Sequence, residues 1–172
     1  MLKTTLFAAA LLLGAAAPSA AADAPSDPQI AHIAYTAGTI DIAAAKQALA
    51  KSHNKAVRSF AQEMVRDHSA VNAKALALVK NLHVTPQDNP TSDSLTKAAT
   101  VERDKLSHLS GAAFDRAYVD NEVAYHKTVD GALESTLIPS AKNGELKSLL
   151  ETGLTLFREH LAHAEHVAKA LK

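Results

Sequence analysis

Residues 55–82 read KAVRSFAQEMVRDHSAVNAKALALVKNL. Val57, Ala61, Met64, His68, Val71, Ala75, Leu78 and Leu82 recur in steps of four and three, which puts them on one stripe of a helix. A seam held for about four heptads predicts a long helix laid against other helices. Upstream, Ser52-His53-Asn54 reads as a turn with Asn54 as helix cap. Before it, Asp27-Pro28 reads as N-cap and first residue of a helix that runs to about Lys51, favoured by its alanines at 43, 44, 45, 48 and 50.

Downstream, His83 to Ser92 carries Asp88, Asn89, Pro86 and Pro90 and reads as a loop. A shorter helix is expected from about Asp93 to His108, capped by Ser92 or Asp93. Ser110-Gly111 marks a break, and a third long helix should span Ala112 to Leu137. Pro139 to Gly144 is the next turn, and the last helix starts at Glu145 and runs to the C-terminus. No stretch alternates at period two for long, so the fold class is all-α. Two short links make two antiparallel hairpins, and the long middle connection crosses the bundle. The expected architecture is a ferritin-like four-helix bundle with an extra short helix in that crossover.

The N-terminal end has a different pattern. A basic start at Lys3, an apolar stretch from Leu6 to Ala17 and the small residues Ala20-Ala21-Ala22 lay out a secretory signal peptide over residues 1–22, cleaved after Ala22. The apolar stretch is short of the roughly 20 residues a spanning helix needs, and no later segment is long and apolar enough. Residues 23–29 are then a flexible lead-in and residues 30–171 the bundle, in a periplasmic or secreted protein with no transmembrane segment in its mature chain.

Composition narrows the function. The chain has 172 residues, 18 Lys+Arg against 18 Asp+Glu, and no cysteine. A balanced charge argues against a nucleic-acid binder, which must neutralise phosphates. Without cysteine there is no disulfide, thiolate metal site, iron–sulfur cluster, lipidated N-terminal cysteine or cysteine nucleophile. With 4% aromatics and no Trp, a large aromatic ligand cage is not expected.

The residues that interrupt the apolar stripes carry the chemistry. Asp41 falls on the Ile30, Ala34, Ala37, Ala44, Ala48 stripe. His68 falls on the stripe of residues 55–82, and Glu122 and His126 fall with Val119, Val129 and Leu133. His160 falls with Leu146, Leu149, Gly153, Leu156 and Val167. Their levels agree as well. Counted from the turn at His53, Asp41 lies 12 residues back and His68 15 on, a difference of roughly 5 Å along the axis. Counted from Ala141, His126 lies 15 back and His160 19 on, roughly 6 Å apart. Buried ionisable groups are costly unless paired or metal-bound. Imidazole and carboxylate suit a divalent transition metal, zinc first, with iron or copper also served by this donor set. One expectation is therefore a central metal site of Asp41, His68, Glu122, His126 and His160. The other is a hydrogen-bonded polar layer with no ion. His32, His53, His83 and His108 read as surface residues. His163 either assists the site or lies on a solvated face. Asp67, about 100° around the helix from His68, either orients a neighbouring helix or is a solvated carboxylate.

Three ordered segments add a resemblance. They are Met64-Val65-Arg66-Asp67-His68 followed by Asn72, Gly111-Ala112-Ala113-Phe114-Asp115-Arg116-Ala117-Tyr118 with His126, and Leu156-Phe157-Arg158-Glu159-His160-Leu161. Together they resemble the bacterial family called domain of unknown function 4142, over about Ile30 to Leu171. The resemblance implies a ferritin-like bundle, mostly exported and often described as a membrane protein, and it carries no reaction. The family usually has Glu where this chain has Asp41, and often Pro where it has Thr155. The Glu-x-x-His pairs of ferritin-like di-iron enzymes are absent, since Glu122 and His126 stand four apart. No nucleophile elbow, phosphate loop or metallohydrolase motif is present. The expected function is an exported envelope protein that binds a metal through the central layer. The alternative is a metal-free bundle for structure or protein interaction in the envelope, with a stress-related role and an envelope protein as its partner.

Overall fold

A computed structural model describes residues 24–171. The signal-peptide segment expected at residues 1–22 lies outside the described residues. The helices are α1 (Asp27–Lys51), α2 (Lys55–Asn81), α3 (Pro90–Ser107), α4 (Gly111–Ala132) and α5 (Gly144–Ala170). Among the described residues there is no strand, and no helix is long and apolar enough to cross a membrane.

Cap chemistry sets the ends, in several places one or more residues from where the spacing predicts. The cap of α1 is Ser26 rather than Asp27. Its backbone N–H donates to Gln29 Oε1 at 2.9 Å, which leaves the Asp27 carboxylate free to accept from the Lys142 and Asn143 backbone N–H groups at 2.9 Å. Asn54 caps α2 as expected, accepting from Ala56 N–H at 2.9 Å. The short helix is capped by Asn89, not Ser92 or Asp93, because Pro90 serves as its first residue, where a missing N–H costs nothing. Asn143 caps α5, so Gly144 opens the helix instead of closing the turn. The turn expected at Pro139 to Gly144 shortens to residues 141–143, because helical chain runs on past α4 through a π-helical turn, Leu133–Leu137, in which Ile138 N–H reaches back to Leu133 O. Helical chain continues through Ile138–Ser140. Pro139 has no N–H and its ring crowds the carbonyl four residues before it, and widening the preceding turn relieves both. Gly111 takes φ +56, a left-handed value that suits glycine, at the break between α3 and α4.

The connections confirm the crossover. Gln87 N–H donates to Pro28 O at 3.1 Å and Lys51 Nζ to Ser107 O at 2.6 Å. So α3 starts beside the beginning of α1 and ends beside its end. The chain is thereby carried the length of the bundle before α4 begins. Both hairpins, α1–α2 and α4–α5, pack along their length.

Two apolar clusters fill the bundle, one toward each end. One gathers Ala44, Ala45 and Ala48 with Val57, Phe60, Ala61, Met64, Leu106, Phe114, Tyr118, Val119, Ala164 and Val167. The other gathers Ile30 and Ile33 with Leu133, Leu137, Ala141, Leu146, Leu150, Leu154 and Phe157. On α5 the buried face therefore uses Leu150, Leu154 and Phe157, while Leu149 and Leu156 are only half-buried. Val71, Ala75 and Leu78 of α2 are also half-buried, and Val71 and Ala75 edge a cavity of about 600 Å³ beside the second cluster.

Asn72, one of the motif residues, is buried against Gly38. Its Nδ2 donates to Thr39 Oγ1 at 3.3 Å and Tyr35 O at 3.4 Å. A Cβ at position 38 would stand 2.4 Å from Asn72 Oδ1, whereas one at Gly153 would meet only the Phe157 ring at 3.5 Å. Thermal melting of Gly38→Ala should show a loss of about 1–3 kcal/mol from this clash. Gly153→Ala should be neutral or stabilising, and Asn72→Ala should relieve much of the Gly38→Ala cost. Equal melting of the two alanine variants would contradict the close α1–α2 approach.

Candidate metal centre

The five interrupting residues meet between the two apolar clusters. Asp41 comes from α1, His68 from α2, Glu122 and His126 from α4, and His160 from α5, and each is at most 3% exposed. His68, His126 and His160 each offer a ring nitrogen, with the three atoms within 4.8 Å of one another, and Asp41, Glu122 and His126 form a second such group. Asp41 Oδ2 lies 3.3 Å from His68 Nε2 and 3.6 Å from His126 Nε2, and Glu122 Oε2 lies 3.7 Å from His126 Nδ1. The Phe157 ring stacks on His68 at 4.7 Å between centroids and covers the layer on its other cluster's side.

Two of the imidazoles are already oriented. The Nδ1–H of His126 donates to the Glu122 backbone carbonyl at 3.0 Å, leaving Nε2 unpartnered in the layer. The Nε2–H of His160 donates to Asp67 Oδ2 at 3.1 Å, leaving Nδ1 unpartnered. A ligand histidine held by a carbonyl or a carboxylate through its other nitrogen is the usual outer support of a metal site. Asp67 is thus the residue that sequence reading left undecided. It reaches the neighbouring helix and is itself held by Arg66, whose Nε and Nη2 donate at 2.7 and 2.9 Å. The signal for it was present in the Asp67-His68 pair, which sends one side chain to α5 and the next into the core.

Seven buried polar atoms of the layer have no hydrogen-bond partner within the protein: both oxygens of Asp41, both nitrogens of His68, Glu122 Oε2, His126 Nε2 and His160 Nδ1. Burial also strips the layer of charge. It pushes the Asp41 carboxyl up to about 8. Glu122 rises well above the carboxylate range, first from burial and then from the neighbouring Asp41. Burial, reinforced by the other two imidazoles, takes His68 down to about 3. His126 falls to about 4, again chiefly from burial, against the pull of its bond to the Glu122 carbonyl. His160 is lowered by burial in spite of Asp67. At neutral pH the metal-free layer is therefore neutral imidazole beside protonated carboxyl, a set of lone pairs ready for a cation once the carboxyl protons leave.

The other histidines lie elsewhere. His53, His83 and His108 are exposed, and His83, just past the end of α2, takes φ 53. His32 is not simply a surface residue: it is half-buried, with Nε2 3.0 Å from Asp88 Oδ1. His163 pairs with Glu63 rather than facing open solvent, Nδ1 to Oε2 at 2.6 Å.

Fold and site together define an all-α bundle with a buried histidine–carboxylate layer. The chain belongs to the family described as domain of unknown function (DUF4142), whose model matches residues 13–167. No curated protein and no solved structure matches it.

The carboxyl protons give a stability test. Asp41 keeps its proton to about 8 in the folded chain and loses it near 3.8 once unfolded, so in between the folded state binds more protons and stability falls as pH rises. His68 and His126, neutral in the fold and titrating near 6.5 once unfolded, act in the opposite direction, and their share fades only above about pH 7.5. In chelator-treated protein each such carboxyl proton should subtract up to about 1.4 kcal/mol per pH unit between pH 6.5 and 8, superposed on the histidine share. Asp41→Asn should remove one proton's share of that slope, read by urea unfolding. An unchanged slope would mean that Asp41 is ionised in the metal-free fold.

Proposed function

We propose that this is an exported envelope protein that binds one divalent transition metal, zinc first, through His68, His126 and His160 with Asp41 or Glu122. The observation that carries this reading is the set of seven unpartnered polar atoms in one buried layer. A metal-free hydrogen-bonded layer would pair these atoms. Here the shortest approach, Asp41 to His68, leaves both atoms without a hydrogen bond. Three neutral imidazoles and a carboxylate fit a four-coordinate zinc site. A bound cation would supply the charge that lets the Asp41 and Glu122 protons leave. The pH dependence of binding therefore differs from a simple histidine titration. His68 and His126 stay neutral well below pH 6 and His160 is lowered as well, so affinity should climb with pH toward the Asp41 value near 8.

Zinc that binds only the folded state raises the melting temperature by mass action, about 2.7 kcal/mol of stabilisation at a hundredfold excess over Kd. His126→Ala should lose most of this shift and His53→Ala should keep it. Equal zinc stabilisation of the two variants would place binding on the surface and defeat the central site. Export is part of the same proposal, supported by the N-terminal pattern of Lys3, the apolar stretch and Ala20-Ala21-Ala22. N-terminal sequencing of envelope-fraction protein should begin at Asp23, and an intact Met1 would contradict it.

A further inference from the structure

The central layer is closed to water, and its apolar flanks are a poor road for a hydrated dication. The seam between α2 and α5 offers a different approach. Glu63 and Asp67 stand one turn apart on α2, and His160 and His163 stand one turn apart on α5. They pair as two rungs. The shallow rung is Glu63 Oε2 with His163 Nδ1 at 2.6 Å, with side chains 28% and 35% exposed. The deep rung is Asp67 Oδ2 with His160 Nε2 at 3.1 Å, 16% and 0% exposed. Glu63, Asp67 and His160 each present a ligand atom, all within 4.8 Å of one another. His160 belongs to both places, grouped with Glu63 and Asp67 at the seam and with His68 and His126 in the layer, its Nε2 on the rung and its Nδ1 unpartnered. Among the layer's residues it is the one whose hydrogen-bond partner, Asp67, reaches solvent.

We propose that Glu63 and Asp67, with His160 within reach of both carboxylates and His163 paired to Glu63 at the outer rung, form a second, shallower site for a divalent transition metal, from which the cation enters the central layer past His160. This rests on the central-site reading and adds the route by which that site fills. When the cation takes His163 Nδ1, the proton now on that nitrogen leaves it for solvent or for Nε2. Glu63 exchanges a hydrogen bond for a metal bond. Arg66, 70% exposed, holds Asp67 from outside and is free to swing into water as the cation arrives.

The test uses chelator-stripped protein, zinc and a competing zinc-sensitive dye, at equilibrium and by stopped flow. Wild-type protein should take up one tight and one weaker equivalent. Glu63→Gln with His163→Asn should lose the weaker equivalent and fill the tight site about tenfold more slowly or worse, since a charged funnel multiplies the on-rate by that order. Its tight-site affinity should not change. Because both residues are partly exposed, circular dichroism should confirm an unaltered fold, and Glu63→Gln alone should show the same trend. His126→Ala should keep the weaker equivalent and lose the tight one. Unchanged filling kinetics, or a weaker equivalent that survives the double substitution, would overturn the entry site. Wild-type protein that binds only weakly, with that binding lost on Glu63→Gln with His163→Asn, would overturn the central reading and the route together, leaving Glu63 and His163 as a surface site.

Discussion

The structure turns on a single constraint: five ionisable side chains from four helices share one dry layer in the middle of the bundle. No apolar contact can compensate a buried carboxyl or imidazole left without a partner, so the layer must be satisfied by protons, by hydrogen bonds or by a cation. Each helix meets the constraint differently. On α4, a carbonyl one turn back holds His126. On α5, His160 is held by a carboxylate from α2. Asp41 and Glu122 meet it by keeping their protons. His68 meets it least, with both ring nitrogens unpartnered and Phe157 stacked on its face. A layer this incompletely paired is a poor stabilising device and a good ligand set.

The two apolar clusters on either side make the site what it is. They exclude water, which raises the carboxyls and lowers the imidazoles, and they fix the register of the four helices. At its edge α2 and α5 carry two further histidine–carboxylate rungs. One face of α2 thus serves two depths: His68 and Met64 point inward, while Glu63 and Asp67 follow the seam.

Much of this was legible in residues 55–82 and in the stripes of the other helices. Counting 12 and 15 residues from the turn at His53 was enough to bring Asp41 and His68 together, because α1 and α2 pack antiparallel with a tight turn. The same arithmetic worked for His126 and His160 despite the π-helical turn between them, since one extra residue per turn shifts the level by little. What the sequence left open depends on contacts between helices. Whether Asp67 faces water or His160 depends on the rotation of α2 against α5, which periodicity alone does not set. Leu150 and Phe157 displace Leu149 and Leu156 from the core for the same reason. Ser26, Asn89 and Asn143 took the caps because each cap competes with its neighbours for the same N–H groups, and Pro90 and Pro139 altered the outcome locally.

The central claim is that the layer holds a metal through three imidazoles. The most direct measurement is anomalous diffraction at the zinc edge from crystals of the zinc-loaded protein. The account predicts an anomalous peak inside the bundle, about 2.0–2.1 Å from one ring nitrogen each of His68, His126 and His160. Anomalous density confined to the surface, with those three rings hydrogen-bonded to carboxyls or water, would contradict it.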